Sequence, residues 1–96
     1  MRFKEYKIFF TNEVKLEIFN IMDWYEVRDS NLGKKFFNSL ISSVALLARF
    51  PNIYMNINMN QKKITLKGFP FCLYYKINED EKAVIIVRCK HFKLLE

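Results

Sequence analysis

The C-terminal half of the sequence contains two apolar runs of strand length, separated by a short acidic segment. Residues 71–77 and 83–90 are rich in β-branched and aromatic residues, which is typical of strands. The intervening residues 78–81 are Asn, Glu, Asp and Glu, and asparagine and aspartate favour turns. The pattern therefore predicts a β-hairpin, whose apolar face has to be buried against another layer.

Three further segments have strand-like patterns. Residues 63–67 predict a strand, and residues 68–70 (Gly-Phe-Pro) predict a turn or a sheet edge, since proline cannot donate to a ladder. Residues 6–10 predict a first strand. Residues 52–60 alternate asparagine with isoleucine or methionine, which fits a two-faced strand or a loop, and we favour a poorly paired strand or an edge.

Apolar residues recur at helical spacing in two segments that follow the first strand. The first segment has one apolar face, formed by Val14, Ile18, Ile21, Met22 and Tyr25. The second has a stripe of Phe36, Leu40, Val44 and Leu47, widened by Phe37, Ile41 and Ala48. A stripe this wide is what a helix packed on a sheet requires.

Polar residues mark the ends of both predicted helices. Thr11 or Asn12 can cap the first helix, and Ser30 or Asn31 can cap the second. Pro51 ends the second helix, because the residue before a proline is pushed out of the α conformation. The short break between the helices predicts an antiparallel helical hairpin.

These elements predict a single α+β domain over residues 1–96, in the order β-α-α-β-β-β. The helical hairpin covers one face of a mainly antiparallel sheet. We expect one set of helical side chains to be buried together: Ile18, Met22, Tyr25, Phe36, Leu40, Val44 and Leu47.

The net charge of +6 is unevenly distributed along the chain. Residues 11–30 contain five acidic and two basic residues, so this segment has a net charge of −3 and the remainder +9. A basic body with one acidic helix favours a polyanionic partner, either nucleic acid or an acidic protein. The alternative is that the lysines serve solubility alone.

Two cysteines, Cys72 and Cys89, are too few for a disulfide framework, and no motif predicts a metal site or a cofactor. We expect two reduced, partly buried thiols in a cytoplasmic protein. Residues 1–10 are basic but are not followed by the apolar stretch of a signal peptide, and no run is long enough for a membrane span.

Several motifs occur in an order typical of one family. They are Trp24-Tyr25 on the first helix, Gly33-Lys34-Lys35-Phe36 and Phe50-Pro51 on the second, Phe69-Pro70-Phe71 followed by residues 73–77, and the terminal His91. Together they resemble the RelE/ParE toxins of bacterial type II toxin–antitoxin modules, over nearly the whole chain. On general grounds we expect Trp24 and Tyr25 to serve the core, and residues 69–71 to anchor the sheet.

The resemblance implies a growth-inhibiting toxin of the plasmid-stabilisation type that a cognate antitoxin neutralises. RelE-like members cleave messenger RNA in the ribosome, whereas ParE-like members bind DNA gyrase. Cleavage would need a general base, a general acid and cations around one phosphate. In that case Arg88 and His91 are the candidate catalytic residues. The candidate residues for binding nucleic acid or another target are Lys62, Lys63, Lys67, Arg88 and Lys90.

Three departures from the nuclease pattern favour a target such as DNA gyrase. Cys72 stands where nuclease members usually have arginine, and Phe92 stands where a tyrosine ends one nuclease subgroup. Strand alternation also places Arg88 and His91 on opposite faces, unless a bulge or the strand end intervenes. The alternatives are a ribosome-dependent mRNA endoribonuclease of the RelE type, and an inactive or non-toxic nucleic-acid-binding domain.

Overall fold

The computed structural model describes residues 5–92, which form two helices on one face of a five-stranded sheet. The elements are β1 (Lys7–Phe10), α1 (Asn12–Arg28), α2 (Ser30–Arg49), a 3-10 turn (Pro51–Ile53), β2 (Met55–Asn56), β3 (Lys62–Thr65), β4 (Phe71–Asn78) and β5 (Ala83–His91). The predicted order is confirmed, with β2 as one additional short strand after α2. Residues 52–60 contribute only the short strand β2 and the 3-10 turn.

The strand order in the sheet is β1-β5-β4-β3-β2. Only β1 and β5 run parallel, and the other neighbouring strands are antiparallel, as predicted. A register shift between Tyr74 and Tyr75 interrupts the β4–β5 ladder. Gly68 has a φ of 83° in the β3–β4 turn, a left-handed conformation that favours glycine.

Thr11 caps α1 through its side chain, which accepts a hydrogen bond from the Val14 amide. The predicted cap of α2 at Ser30 or Asn31 is wrong, because Asp29 has extended backbone angles and its carboxylate accepts from the Asn31 amide. Asp29 therefore ends one helix and caps the next.

The core lies between the helices and the inner face of the sheet. Of the seven predicted core residues, Ile18, Phe36, Leu40 and Leu47 are buried, and the other three are partly buried and pack against them. The predicted widening of the α2 stripe is wrong for Phe37 and Ile41, which are 43% and 48% exposed. These two residues are four positions apart, so they share a side of α2 that faces solvent.

Aromatic rings join the helices to the start of β4. The Tyr25 ring lies 5.2 Å from Phe69 and 6.3 Å from Phe71, both edge-to-face. Phe36 contacts the same two rings at 5.3 Å and 5.8 Å. The expectation that residues 69–71 anchor the sheet agrees with these contacts.

Candidate functional site

The face of the sheet opposite the helices, here called the open face, is rich in cations. Strand alternation and register place Lys63, Tyr74 and Arg88 in one cross-strand row of this face. Thr65, Cys72 and Lys90 form the next row. The five strands of the described chain contain no aspartate or glutamate. The sheet itself therefore supplies only positive charge to this face.

One carboxylate from α1 reaches the cations. The side chain of Glu17 accepts hydrogen bonds from Arg88 Nε (2.9 Å) and from the Cys89 amide (2.8 Å), and Lys90 Nζ lies 2.9 Å from Glu17 Oε2. Arg88 and Lys90 remain 40% and 36% exposed, whereas Glu17 is only 15% exposed. The candidate cations Arg88 and Lys90 are therefore brought together and partly neutralised by an internal anion.

The electrostatics of Glu17 reflect this environment. Burial acts to raise the pKa of Glu17, but the hydrogen bonds from Lys90, the Cys89 amide and Arg88 outweigh it, so that the pKa lies below the ordinary 4.5. Glu17 therefore stays ionised at neutral pH.

The other three candidate cations lie in three different surroundings. Lys62 Nζ donates to the carbonyls of Asn52 and Tyr54 at 3.2 Å and to Asn56 Oδ1 at 2.8 Å. Its ammonium group is thus bound to the preceding segment, and its role in binding nucleic acid or another target stays a prediction. Lys63 lies in the same row as Arg88, whereas Lys67 is exposed in the β3–β4 turn.

His91 lies on the helix side of the sheet. Its ring is 5.3 Å from that of Phe71, edge-to-face, and it lines a groove of about 460 Å³. The groove is formed by Asn20, Ile21, Trp24, Tyr25, Pro70, Phe71 and His91. Arg88 lies on the open face, so the two candidate catalytic residues are on opposite faces, as strand alternation predicts. The ladder irregularity does not change this relation, because it precedes both residues.

Trp24 belongs to this groove and not to the core. Its side chain is 52% exposed, which corrects the expectation of a core residue. The Arg28 guanidinium lies 3.6 Å from the ring centroid and donates to the Trp24 carbonyl. This arrangement leaves an exposed aromatic surface in the lining of the groove.

Residues 8–93 match the family model described as the ParE toxin of the type II toxin–antitoxin system, parDE. The chain belongs to the ParE toxin family. The match covers most of the sequence, and no match was found among the curated proteins.

Solved structures share the fold of this ParE-family chain at low sequence identity. A chromosomal ParDE toxin–antitoxin system from P. aeruginosa matches with a TM-score of 0.76 and 17% identity, covering 92% of this chain and 97% of that one. The isolated RelE toxin of E. coli matches with a TM-score of 0.63 and 16% identity, covering 90% and 83%. The RelBE2 toxin–antitoxin complex of Mycobacterium tuberculosis gives 0.56 and 15%, covering 94% of each chain.

The two thiols of this ParE-family chain are inaccessible. Cys72 is buried on the open face, with its Sγ 3.5 Å from Thr65 Oγ1. Cys89 is buried on the core side, where burial and the neighbouring Glu17 carboxylate raise its pKa to about 12. Both thiols are free, as predicted, but they are fully rather than partly buried. Among residues 5–92, no group of three His, Cys, Asp or Glu side chains could hold a metal ion, and no helix could cross a membrane.

Sequence reasoning missed the role of Glu17, although a signal was present. Glu17 lies three residues after Val14 and four before Ile21, within the predicted apolar face of α1. A carboxylate on an inward-facing stripe needs a cation or hydrogen-bond donors. The basic residues at the end of β5 were available partners.

Proposed function

We propose that this ParE-family toxin inhibits bacterial growth in the cytoplasm by binding a macromolecular target such as DNA gyrase. Family membership identifies the chain as a toxin of a type II toxin–antitoxin system, and the choice of target is the proposal. In this scheme the protein acts by occupying its target, and a cognate antitoxin keeps it inactive until release.

The separation of Arg88 from His91 is the observation that carries this choice. RNA cleavage requires proton transfer and charge neutralisation at a single phosphate. His91 lines the groove on the helix side, whereas Arg88 is hydrogen-bonded to Glu17 and belongs to the open face. The two residues leave β5 on opposite faces, which favours binding over cleavage.

Two further residues support the same choice. Cys72 is buried beside Thr65, and a buried thiol cannot neutralise a phosphorane. Phe92, at the position of a tyrosine in one nuclease subgroup, has no hydroxyl group to donate. Each missing polar group would be worth about one to three orders of magnitude in rate if it acted like an oxyanion donor.

The exposed apolar side chains of the helices support an antitoxin partner. On α1 they are Leu16, Phe19, Trp24 and Val27, and on α2 they are Phe37, Ile41 and Leu46. An amphipathic segment that folds on binding can cover such a surface. The similar structures from P. aeruginosa and M. tuberculosis are a ParDE toxin–antitoxin system and a RelBE2 toxin–antitoxin complex, which supports the same kind of partner here.

The test is inducible expression in bacteria, with growth, gyrase-linked DNA breakage and messenger RNA cleavage measured in the same cultures. We expect toxicity with DNA breakage, little change on His91→Ala, and loss of toxicity on Arg88→Glu. Lys34→Glu on α2 makes the same charge change away from the open face and serves as the control.

The groove around His91 favours an mRNA endoribonuclease as the second candidate, because it places an imidazole beside the exposed Trp24 ring, on which a base could stack. In that case His91→Ala should lower cleavage by about 10²–10⁴, the range of general acid–base catalysis. Ribosome-dependent cleavage that His91→Ala abolishes would contradict the proposed target binding. Absence of toxicity in all cultures would instead favour an inactive or non-toxic nucleic-acid-binding domain.

A further inference from the structure

The cations of the open face form a two-dimensional array. Alternation places Lys7, Lys63, Lys76, Arg88 and Lys90 on this face. Neighbouring positions on one face lie about 6.8 Å apart along a strand and about 4.8 Å apart between strands. A repeating polyanion can therefore contact several of these charges at once, whereas a single carboxylate cannot.

Aromatic side chains lie among these cations. Tyr74 lies between Lys63 and Arg88 in its row. On β1, Phe9 pairs with Ile85 of β5 and is 52% exposed. Cations interleaved with aromatic rings are typical of surfaces that bind single-stranded nucleic acid, where phosphates meet the cations and bases stack on the rings. An acidic protein segment would make no comparable use of the rings.

Glu17 already meets two of these cations at the edge of β5 that β1 leaves uncovered. Its carboxylate accepts from Arg88 Nε, and its Oε2 lies 2.9 Å from Lys90 Nζ, so one internal charge offsets two cations. Both cations keep more than a third of their side-chain surface in solvent. An external phosphate can therefore approach the pair, but it has to compete with Glu17.

We propose that Arg88 and Lys90 form a phosphate site for single-stranded nucleic acid, and that Glu17 is its built-in competitor, which lowers the affinity. This inference goes beyond the proposed function, since it concerns binding by the purified chain and does not depend on toxicity or on gyrase. Glu17 changes the affinity for nucleic acid indirectly, because its carboxylate partly neutralises Arg88 and Lys90.

The first test measures binding of a fluorescein-labelled twelve-nucleotide single-stranded DNA by anisotropy. DNA has no 2′-hydroxyl group, so cleavage by that route cannot complicate the measurement. Glu17→Gln keeps an acceptor for the Cys89 amide but removes the charge. We expect it to tighten binding about five-fold at low salt, the effect of one unit charge at about 4 Å in water.

The salt dependence distinguishes a new phosphate contact from a general charge effect. Releasing one cation should increase the magnitude of the slope of log K against log[salt] by about 0.7, the value for one contact with a single strand. Glu13→Gln is the matched control, since it makes the same charge change in the exposed first turn of α1. Adding Arg88→Gln to Glu17→Gln should cancel the gain.

A second measurement uses the unaltered chain and so does not depend on the folding of a variant. If phosphate displaces Glu17, the ¹³C chemical shift of the Glu17 side-chain carboxyl should move as the oligonucleotide is added at constant pH. Binding that leaves this resonance unchanged would overturn the proposal, as would equal affinities of Glu17→Gln and Glu13→Gln. If a poly-glutamate peptide binds more tightly than the oligonucleotide, the surface is one for an acidic protein instead.

Discussion

Glu17 protects an edge of the sheet as well as meeting its cations. β1 pairs only with residues 83–86, so the remaining edge of β5 is not covered by a strand. There the Glu17 carboxylate accepts from the Cys89 amide, and the Thr11 hydroxyl donates to the Val87 carbonyl at 3.4 Å. Side chains of α1 and of its N-cap thus satisfy groups that would otherwise template pairing with another chain.

The lowered pKa of Glu17 predicts a pH-dependent stability. The unfolded chain binds the proton at about the ordinary 4.5, whereas the folded chain binds it only at lower pH. The stabilisation is therefore complete above pH 4.5 and is lost as the pH falls through the folded value. Urea denaturation between neutral and acid pH should show a smaller loss of stability in Glu17→Gln than in wild type.

The control for this pH effect is Glu13→Gln, which removes an exposed carboxylate from the same helix. Glu79 contributes in the same direction, because hydrogen bonds from Tyr6 and Asn52 lower its pKa. The comparison therefore has to be made between single variants. A Glu17→Gln protein with the full acid sensitivity of wild type would contradict the prediction.

At the scale of elements, α2 provides the main test of the packing. Leu40 is 3% exposed, in the middle of the buried stripe between helix and sheet. Leu40→Ala should lower the free energy of unfolding by about 2–5 kcal/mol, because it removes buried apolar area and leaves a cavity. The measurement is the midpoint of urea denaturation at constant slope.

Leu46→Ala is the matched control on the same helix, since Leu46 is 46% exposed. Its effect should stay within about 0.5 kcal/mol, the usual range for surface positions. Equal losses in the two variants would mean that the stripe of α2 does not face the sheet as described.

Lys62 stabilises the segment from residue 52 to residue 56. Its ammonium group holds two carbonyls and one side-chain oxygen between residues 52 and 56. Lys62→Met should remove about 1 kcal/mol of local stability, which corresponds to about five-fold faster amide exchange in residues 55–57. Lys63→Met, one residue further on and on the open face, should leave this exchange unchanged. Faster exchange in both variants would indicate that β3 is destabilised, and not that the hydrogen bonds of the Lys62 ammonium group are lost.

The helices and strands could be predicted from the sequence because the spacing of apolar residues follows the buried face of each element. The spacing of residues such as Val14 and Ile18, or of Leu40 and Leu47, depends directly on the face that meets the core. The site could not be predicted as fully. The pairing of Glu17 with Arg88 and the anchoring role of Lys62 depend on contacts between distant elements, and charged side chains carry no periodic signal of such partners.

The same reason explains two of the errors on the helices. Trp24 and Phe37 are apolar and occur near helical stripes, so composition assigns them to the core. In the structure they lie outside the faces of the helices that meet the sheet, and they are 52% and 43% exposed. Apolar residues outside the covered stripe are candidates for a partner's surface.

At the scale of the whole molecule, the two faces differ in charge. The open face gathers the sheet cations, whereas the helical layer, residues 11–49, contains five acidic and five basic residues and has no net charge. Such a difference creates a field that orients an incoming charged partner before contact. Electrostatic steering of this kind affects the association rate more than the dissociation rate.

Association with a cognate antitoxin should therefore weaken as salt rises. We expect the association rate constant to fall at least about ten-fold between low and high salt, because screening shortens the range of the field to a few ångströms. The dissociation rate constant should change little, because screening acts mainly on the approach of the two chains. Surface plasmon resonance with the co-expressed partner measures both constants.

Two variants with the same net charge show which surface of the protein attracts the partner. Lys76→Gln removes a cation from the open face, and Lys34→Gln removes one from α2. Both lower the total charge by one, so a partner that senses only net charge should respond equally to them. If the partner is acidic and approaches the open face, Lys76→Gln should slow association more than Lys34→Gln. A larger effect at Lys34, or an association rate that salt does not change, would contradict steering by the sheet cations.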